Sequence, residues 1–387
     1  MSTMMVDLSD PLDSAEFAAV DTARLGEIAA RHQRVAEFLR QEDYAALLLQ
    51  QPSNFKWFTA GGSNERGGAT GTTGALFITP EARVLVCSNV DTAQFFESEV
   101  CNMGFQLKER QWSEPLVVML ADLCRGRRVA CDSEFSGTTD VRHRLLGLRL
   151  PLSDFDQERL REAGKLLAHA IEATARGLRP GRTEAEIAGE VSHRMFKRGV
   201  QPERIQVLGD GRGQRFRRWT FDDSPVQHYC TISAVGRYRG LFVGAARTIS
   251  LGDPRPELLK AFESAAMVSA TGIYFSQPDW ELFEVWNRVQ RLYEKSGAEA
   301  EWRLADQADI CEYEFGAVPL APNSEFRLSD GMPLYWHPSV GPVLMGDTVL
   351  VSQRGTEVLT VSTEWPVVPV LVKGTRVEVP AILVINA

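Results

Sequence analysis

The sequence predicts a chain of two domains, an α/β domain followed by a strand-rich α+β domain. Short apolar strands alternate with helical segments up to about residue 150, a long helical run covers 157–176, and strand patterns dominate after Gly199. A length of 387 residues allows each domain its own hydrophobic core. We place the boundary near residue 154, which gives domains at 25–154 and 155–387 and leaves residues 1–24 as a flexible extension.

In the first domain, apolar residues recur at helical spacing from Leu25 to Gln41, which predicts an amphipathic helix. The glycine-rich segment 61–74 is predicted to be a loop. It is not a phosphate-binding loop, because no Gly-Lys-Ser/Thr follows it and no helix pattern begins after it. The remaining predicted elements are strands at Tyr44–Leu49, Ala75–Ile78, Arg83–Cys87 and Arg127–Cys131, and a helix at Leu116–Cys124.

In the second domain, a Pro-Gly turn at 180–181 ends the first long helix. Thr183 and Glu186 have the spacing of a capping box, which predicts a second helix that runs to Arg198. Further helices are predicted at Pro256–Phe275 and Glu281–Gly297, and strands at Tyr229–Val235, Gly240–Val243, Arg247–Leu251, Pro333–Trp336, Asp347–Val351, Thr356–Thr360 and Val367–Lys373.

Composition excludes several classes of protein. The net charge of −9 argues against a nucleic-acid partner and against an anionic membrane surface. No apolar stretch of ~18 residues and no signal-peptide pattern occur, so we expect no membrane span. The six cysteines contain no Cys-x-x-Cys pair and lie mostly among apolar residues, which predicts reduced thiols and a cytoplasmic location.

Four local patterns follow one another in the second half of the chain. They are a helix, Pro-Gly turn and Thr-Glu over 158–184, Gly-Leu-Phe-Val-Gly-Ala-Ala-Arg-Thr at 240–248, Ser-Asp-Gly-Met-Pro-Leu at 329–334, and Asp-Thr-Val-Leu-Val with Gly-Thr-Glu-Val-Leu-Thr over 347–360. Together they resemble the creatinase/prolidase/aminopeptidase P family. The resemblance implies a creatinase-like N-terminal α/β domain, a pita-bread domain with a curved antiparallel sheet, and a homodimer.

The resemblance also implies a centre of two divalent metals held by two aspartates, one histidine and two glutamates. The corresponding positions here are Ser233, Gly244, Asp309, His337 and Gly346, with Tyr313 as an alternative to Asp309. Only Asp309 and His337 offer good ligand atoms, whereas a mononuclear catalytic zinc normally has three protein ligands. We therefore expect no metal cofactor, and we expect the family's cavity to be retained.

Two interpretations of this polar set remain open. His337 could act as a general base with Asp309 as its partner and Ser233 as a nucleophile. Alternatively, these residues only fill the space of the lost metals or contact a ligand. No Gly-x-Ser-x-Gly pattern gives Ser233 independent support.

An arginine-rich loop at 210–219 precedes the first of these positions. Within it, Arg217 and Arg218 are candidates to bind a carboxylate or phosphate, and Trp219 is a candidate to stack on an organic group. The alternative is a solvated loop whose arginines pair with acidic neighbours. Further candidates for substrate contacts are Arg247, Trp336 and Asp347, of which Trp336 also suits packing and Asp347 also suits an ion pair with Arg247.

From this sequence we predict a family member that binds a small amino-acid-like or anionic ligand without metallopeptidase activity. The first alternative is a metal-independent hydrolase of a C–N bond in a small amide or amino-acid derivative. The second is residual Xaa-Pro aminopeptidase activity.

Overall fold

The computed structural model describes residues 20–66, 71–361 and 364–386. The chain divides into two compact units, Met1–Arg142 and His143–Ala387. The position near 154 that the sequence suggested as a boundary coincides with the start of the long helix at Asp154. Most of the predicted flexible extension, residues 1–19, lies outside the described residues; the first helix begins at Thr22.

The first unit contains a six-stranded sheet with helices α1 to α4. The helices are α1 (Thr22–Gln41), α2 (Pro52–Phe58), α3 (Thr92–Gln94, continued by a π-helical turn at Phe95–Glu99) and α4 (Leu116–Cys124), and α5 (Arg142–Arg149) begins at the division between the units. The strands are β1 (Ala46–Leu49), β2 (Gly74–Ile78), β3 (Arg83–Ser88), β4 (Gln106–Arg110), β5 (Val129–Cys131) and β6 (Thr139–Asp140). They lie in the order β4-β3-β2-β1-β5-β6 and form the predicted α/β layer.

The second unit consists of a curled sheet and a helical layer. Its helices are α6 (Asp154–Arg176), α7 (Glu184–Phe196), α8 (Arg212–Arg215), α9 (Pro256–Phe275) and α10 (Leu282–Lys295), with a 3₁₀ turn at Glu301–Arg303. Its strands are β7 (Gln201–Gly209), β8 (Tyr229–Tyr238), β9 (Leu241–Leu251), β10 (Ala308–Ile310), β11 (Val318–Pro319), β12 (Pro333–Trp336), β13 (Ser339–Val340), β14 (Val343–Leu344), β15 (Gly346–Leu350), β16 (Glu357–Val358), β17 (Val367–Val372), β18 (Thr375–Pro380) and β19 (Leu383–Ile385).

The large sheet runs β11-β10-β12-β15-β9-β8-β7, with β16 paired to β15 and β19 paired to β9. All of its pairs are antiparallel except β19 with β9, so the predicted antiparallel sheet is confirmed. Two short hairpins, β13–β14 and β17–β18, stand apart from it.

Local sequence signals set several of these elements. Thr183 is the N-cap of α7; its hydroxyl accepts from the Glu186 N–H at 3.2 Å, and the Glu186 carboxylate accepts from the Thr183 N–H at 2.9 Å. The capping box predicted from the sequence is thereby confirmed. The six cysteines are free. Among the described residues, no helix combines the length and apolar character that crossing a bilayer requires.

Candidate functional site

Strand pairing separates the candidate residues onto two faces of the large sheet. Ser233 lies opposite Ala246, Ala246 lies opposite Gly346, and Asp309 lies opposite Tyr335. Directly paired residues share a face, and neighbouring residues along a strand point to opposite faces. The five positions assigned to the metals by resemblance therefore share one face, which we call the site face.

The side chain of Tyr335 fills much of the site face. A Cβ atom placed on Gly244 would lie 2.6 Å from Cε2 and Cζ of the Tyr335 ring, far inside van der Waals contact. The Tyr335 hydroxyl lies 3.5 Å from Oγ of Ser233, and the whole side chain is buried. Burial raises the pKa of this phenol. The cavity expected from the sequence is therefore largely closed, because a tyrosine two residues before His337 projects into it.

A side chain at Gly346 would likewise collide with Ala246 on the neighbouring strand β9. A Cβ atom there would come within 2.6 Å of the backbone nitrogen of Ala246 and 2.7 Å of its Cβ. The nearest obstacle is backbone and not a flexible side chain. A glutamate at position 346 would thus require strands β9 and β15 to separate.

Asp309 and His337 form a hydrogen-bonded pair at the edge of this closed region. His337 Nε2 lies 2.9 Å from Asp309 Oδ2, and the two residues are 7% and 5% exposed. When Asp309 is ionised it can only accept, so Nε2 carries the proton and Nδ1 keeps the lone pair. The alternative register at Tyr313 is not supported, because the Tyr313 hydroxyl donates to Asp156 at 2.6 Å instead.

The structure does not bring Ser233 to this pair. The side-chain hydrogen bond of Ser233 is with Tyr335, and the Tyr335 ring lies against the His337 imidazole with 4.8 Å between centroids. A direct transfer of the Ser233 proton to His337 therefore has no path in this conformation, because a base must lie within hydrogen-bond reach of its nucleophile.

The sequence interpretation missed Asp306. Its Oδ2 lies 3.9 Å from His337 Nε2, and ligand atoms of Asp306, Asp309 and His337 all lie within 4.8 Å of one another. Three such ligands suit a single divalent cation. Arg218 competes for this carboxylate, since its Nη2 donates to Asp306 Oδ1 at 2.8 Å. The spacing of two aspartates three residues apart was the signal that could have revealed Asp306.

Arg217 and Arg218 of the arginine-rich loop lie beside Asp306 and His337. A small cavity of about 30 Å³ is lined by both arginines together with Arg204, Asp306 and His337. Nη1 of Arg217 donates to the Gly341 carbonyl at 2.9 Å, and its Nη2 contacts Glu301. The Nε atoms of Arg204 and Arg217 are buried and have no hydrogen-bond partner among the described residues. Arg204, which the sequence interpretation missed, therefore adds a second unused donor.

The rest of the arginine-rich loop turns away from His337. The buried Glu184 carboxylate anchors it, because it accepts from Trp219 Nε1 at 2.9 Å and from the Asp222 N–H at 3.1 Å. Arg212 lies over the Trp219 ring and pairs with Glu184 and Asp222. Trp219 thus supports the loop and does not line the His337 cavity.

Arg247, Trp336 and Asp347 lie on the opposite face of the sheet, which α6 and α9 cover. Trp336 is fully buried, its ring packs on Gly272 of α9, and its Nε1 donates to Ser276 Oγ at 3.0 Å. Arg247 and Asp347 form the predicted ion pair at 3.0 Å. The structure therefore places these three candidates for substrate contacts away from His337, because strand alternation turns them to the other face of the sheet.

The family model described as metallopeptidase family M24 matches residues 158–352, half of the chain. The chain belongs to this family. Its structure resembles the Xaa-Pro dipeptidase of Bacillus anthracis (TM-score 0.75, 17% identity, 92% of this chain and 100% of the other). It also resembles the dipeptidase PepE of Mycobacterium ulcerans (TM-score 0.76, 16% identity, 94% and 99%).

Two further proteins are similar to this chain, one in structure and one in sequence. The N-terminal domain of the FACT complex subunit SPT16 from chickpea has the same fold, with a TM-score of 0.67 and 13% identity over 87% of this chain and 96% of that domain. An uncharacterised hydrolase/peptidase, y4tL, of Sinorhizobium fredii is 23% identical over 236 residues, or 58% of this chain. The chain spans about 60% of the length of that relative.

The resemblance assigns the two metals of family M24 to five positions of this chain, whose residues the structure describes. Of the five positions, only Asp309 and His337 provide good ligand atoms, and the glycines at 244 and 346 have no room for a carboxylate. The arrangement offers a buried imidazole–carboxylate pair, a second carboxylate from Asp306, and the unpaired Nε–H donors of Arg204 and Arg217.

Proposed function

We propose that this member of family M24 binds the anionic group of a small amino-acid-like ligand beside His337 and does not hydrolyse peptides with two metals. The observation that carries this proposal is the position of the Tyr335 ring. It occupies the space that a carboxylate at position 244 would need, with ring carbons 2.6 Å from the Cβ such a residue would have. The compact polar cluster on the same face supports a function other than two-metal catalysis.

The donors around His337 support an anionic partner. The buried Nε groups of Arg204 and Arg217 lack acceptors among the described residues, and a carboxylate would satisfy such donors with charge-assisted hydrogen bonds. The small volume of the cavity, about 30 Å³, suits one such group, so the remainder of the ligand would lie outside it.

A second candidate function is metal-independent hydrolysis with His337 as general base. The 2.9 Å hydrogen bond to Asp309 favours it, because a carboxylate partner orients the imidazole and stabilises its protonated form. Since Ser233 is held by Tyr335, the nucleophile would have to be a water molecule at Nδ1.

The first experiment separates these functions from residual Xaa-Pro peptidase activity. Metal content of the purified protein is measured by mass spectrometry, and cleavage of Xaa-Pro peptides is measured with and without added manganese. We expect neither stoichiometric metal nor cleavage. Two bound metals with cleavage would overturn the proposal, whereas one metal that is lost in Asp306→Asn would indicate a mononuclear site at Asp306, Asp309 and His337.

The second experiment tests anion binding directly with proline and with inorganic phosphate as probes. Thermal stabilisation is compared among the parent protein, Arg217→Gln and Arg215→Gln. Arg215 is the matched control because it lies on the same loop, over Phe216, and does not line the His337 cavity. We expect Arg217→Gln to abolish the stabilisation and Arg215→Gln to keep it. Equal responses of the two variants would refute the proposed site.

A further inference from the structure

A second cavity lies on the helix-covered face of the sheet, on the side opposite His337. It has a volume of about 400 Å³ and is enclosed by the end of α9, the strands β15 and β16, and the hairpin β17–β18. Pockets of this size commonly bind small organic molecules. Neither the resemblance nor the site beside His337 assigns any role to it.

The floor of this cavity carries an unused hydrogen-bond acceptor. Asp347 Oδ1 accepts from Arg247 Nη1 at 3.0 Å and from the Thr360 hydroxyl at 2.7 Å. The other oxygen, Oδ2, is buried and has no partner among the described residues, although the side chain lines the cavity. A buried carboxylate oxygen without a donor is unfavourable, so this position favours a ligand that supplies one.

The donors of Arg247 do not meet this need, because none of its hydrogen bonds goes to Oδ2. Nε donates to Glu172 at 3.1 Å, Nη1 donates to the Ala246 and Gly346 carbonyls as well as to Asp347, and Nη2 donates to the Thr360 carbonyl at 2.5 Å. The second oxygen of Asp347 is therefore not an acceptor for this guanidinium.

The charges buried at the floor favour a cationic donor. Glu172 and Asp347 are each 1% exposed and share the guanidinium of Arg247. Arg176 approaches Glu172 only to 3.9 Å and also pairs with Glu364. Burial raises the pKa of Asp347 even though Arg247 opposes the shift. An additional positive charge near Oδ2 would therefore stabilise the ionised carboxylates of Glu172 and Asp347.

The walls of the cavity combine apolar side chains with neutral polar ones such as Gln277. Ile273, Val377 and the indole of Trp365 line it, and Trp365 Nε1 donates to the Ala381 carbonyl at 2.9 Å, which holds the ring in place. At the rim, Arg376 and Glu378 pair with each other at 3.0 Å. The apolar part of the wall, with the Trp365 indole, thus suits a flat apolar body.

We propose that this cavity binds a small aromatic amine, with its ring against Trp365 and Val377 and its ammonium group donating to Asp347 Oδ2. The proposal uses no residue of the His337 cluster, so it stands independently of the function proposed above. The chemistry that selects the ligand is the combination of one buried acceptor with apolar walls.

Calorimetric titration with tryptamine and with indole-3-propionate tests this proposal. The two compounds share a ring and differ in the sign of their charge. We expect tryptamine to bind at least about tenfold more tightly, the factor that a charge-assisted hydrogen bond provides. Equal affinity of the two compounds, or no binding of tryptamine, would overturn the proposal.

Two variants locate the binding. Asp347→Asn keeps an acceptor for Arg247 and Thr360 but removes the negative charge, so we expect it to weaken tryptamine binding by about tenfold or more. Val377→Trp fills the cavity without touching the ion pairs and should abolish binding, which keeps the test decisive if the first variant does not fold. Arg215→Gln is the control. Unchanged affinity in Val377→Trp would place tryptamine elsewhere and refute the site.

Discussion

Replacement of Gly244 by alanine tests whether the Tyr335 ring really fills the site face. The new Cβ would meet three ring atoms at 2.6–2.7 Å, and Tyr335 is fully buried and has little freedom to move. Overpacking of this kind costs about 1–3 kcal/mol of unfolding free energy. Gly244 lies in β9 in ordinary extended backbone, so the cost of the methyl group would come from this contact alone.

A double-mutant cycle with Tyr335→Ala makes the prediction specific. Loss of this buried ring should cost about 3–5 kcal/mol by itself, because it leaves a cavity. In the double variant the methyl group at 244 no longer meets the ring, so the combined cost should fall short of the sum by about 1–3 kcal/mol. The control is Gly189→Ala on the exposed side of α7, where a Cβ meets nothing and should stabilise the helix by up to about 1 kcal/mol.

Urea unfolding, followed by fluorescence and by circular dichroism, gives the midpoint of the transition for each variant. The midpoints report stability when the dependence of the unfolding free energy on urea concentration is the same in all variants. If Gly244→Ala behaves like Gly189→Ala, and if its cost simply adds to that of Tyr335→Ala, the ring does not occupy this space. A carboxylate at position 244 would then have room, and the proposed non-peptidase function would lose its main support.

Three further predictions follow from other parts of the structure. Thr183→Ala should lower the unfolding free energy by about 1 kcal/mol, because it removes the cap of α7; urea midpoints check this, and no change would contradict the reciprocal bonds with Glu186. Burial raises the pKa of Glu312 above its ordinary 4.5, against the effect of Arg149, so the folded state holds this proton at a higher pH than the unfolded chain. The stability of the parent protein should therefore fall relative to Glu312→Gln as pH rises from about 4 through the raised value, and parallel pH profiles of the two proteins would refute this sign. Prolonged treatment with a chelator should leave the melting temperature unchanged, because we propose no structural role for a metal; a clear drop that zinc or manganese reverses would contradict this.

Sequence alone determined the features that depend on neighbours along the chain. Helix α4 and strand β12 have the bounds that apolar patterning predicted, and the cap of α7 was visible as a threonine and a glutamate three residues apart. The absence of carboxylates at 244 and 346 was equally a matter of sequence, since a glycine offers no ligand whatever its surroundings.

Only the tertiary structure decided which side chains meet. Trp336 and His337 are adjacent in sequence, yet the alternation of side chains directs Trp336 towards α9, whereas His337 stacks on Tyr335. Tyr335 fills the space at Gly244 because β9, β15 and β12 are neighbours in the sheet. The pattern of residues within each strand does not predict this strand order. Side-chain contacts across strands depend on register between distant segments, and register is fixed by the whole sheet.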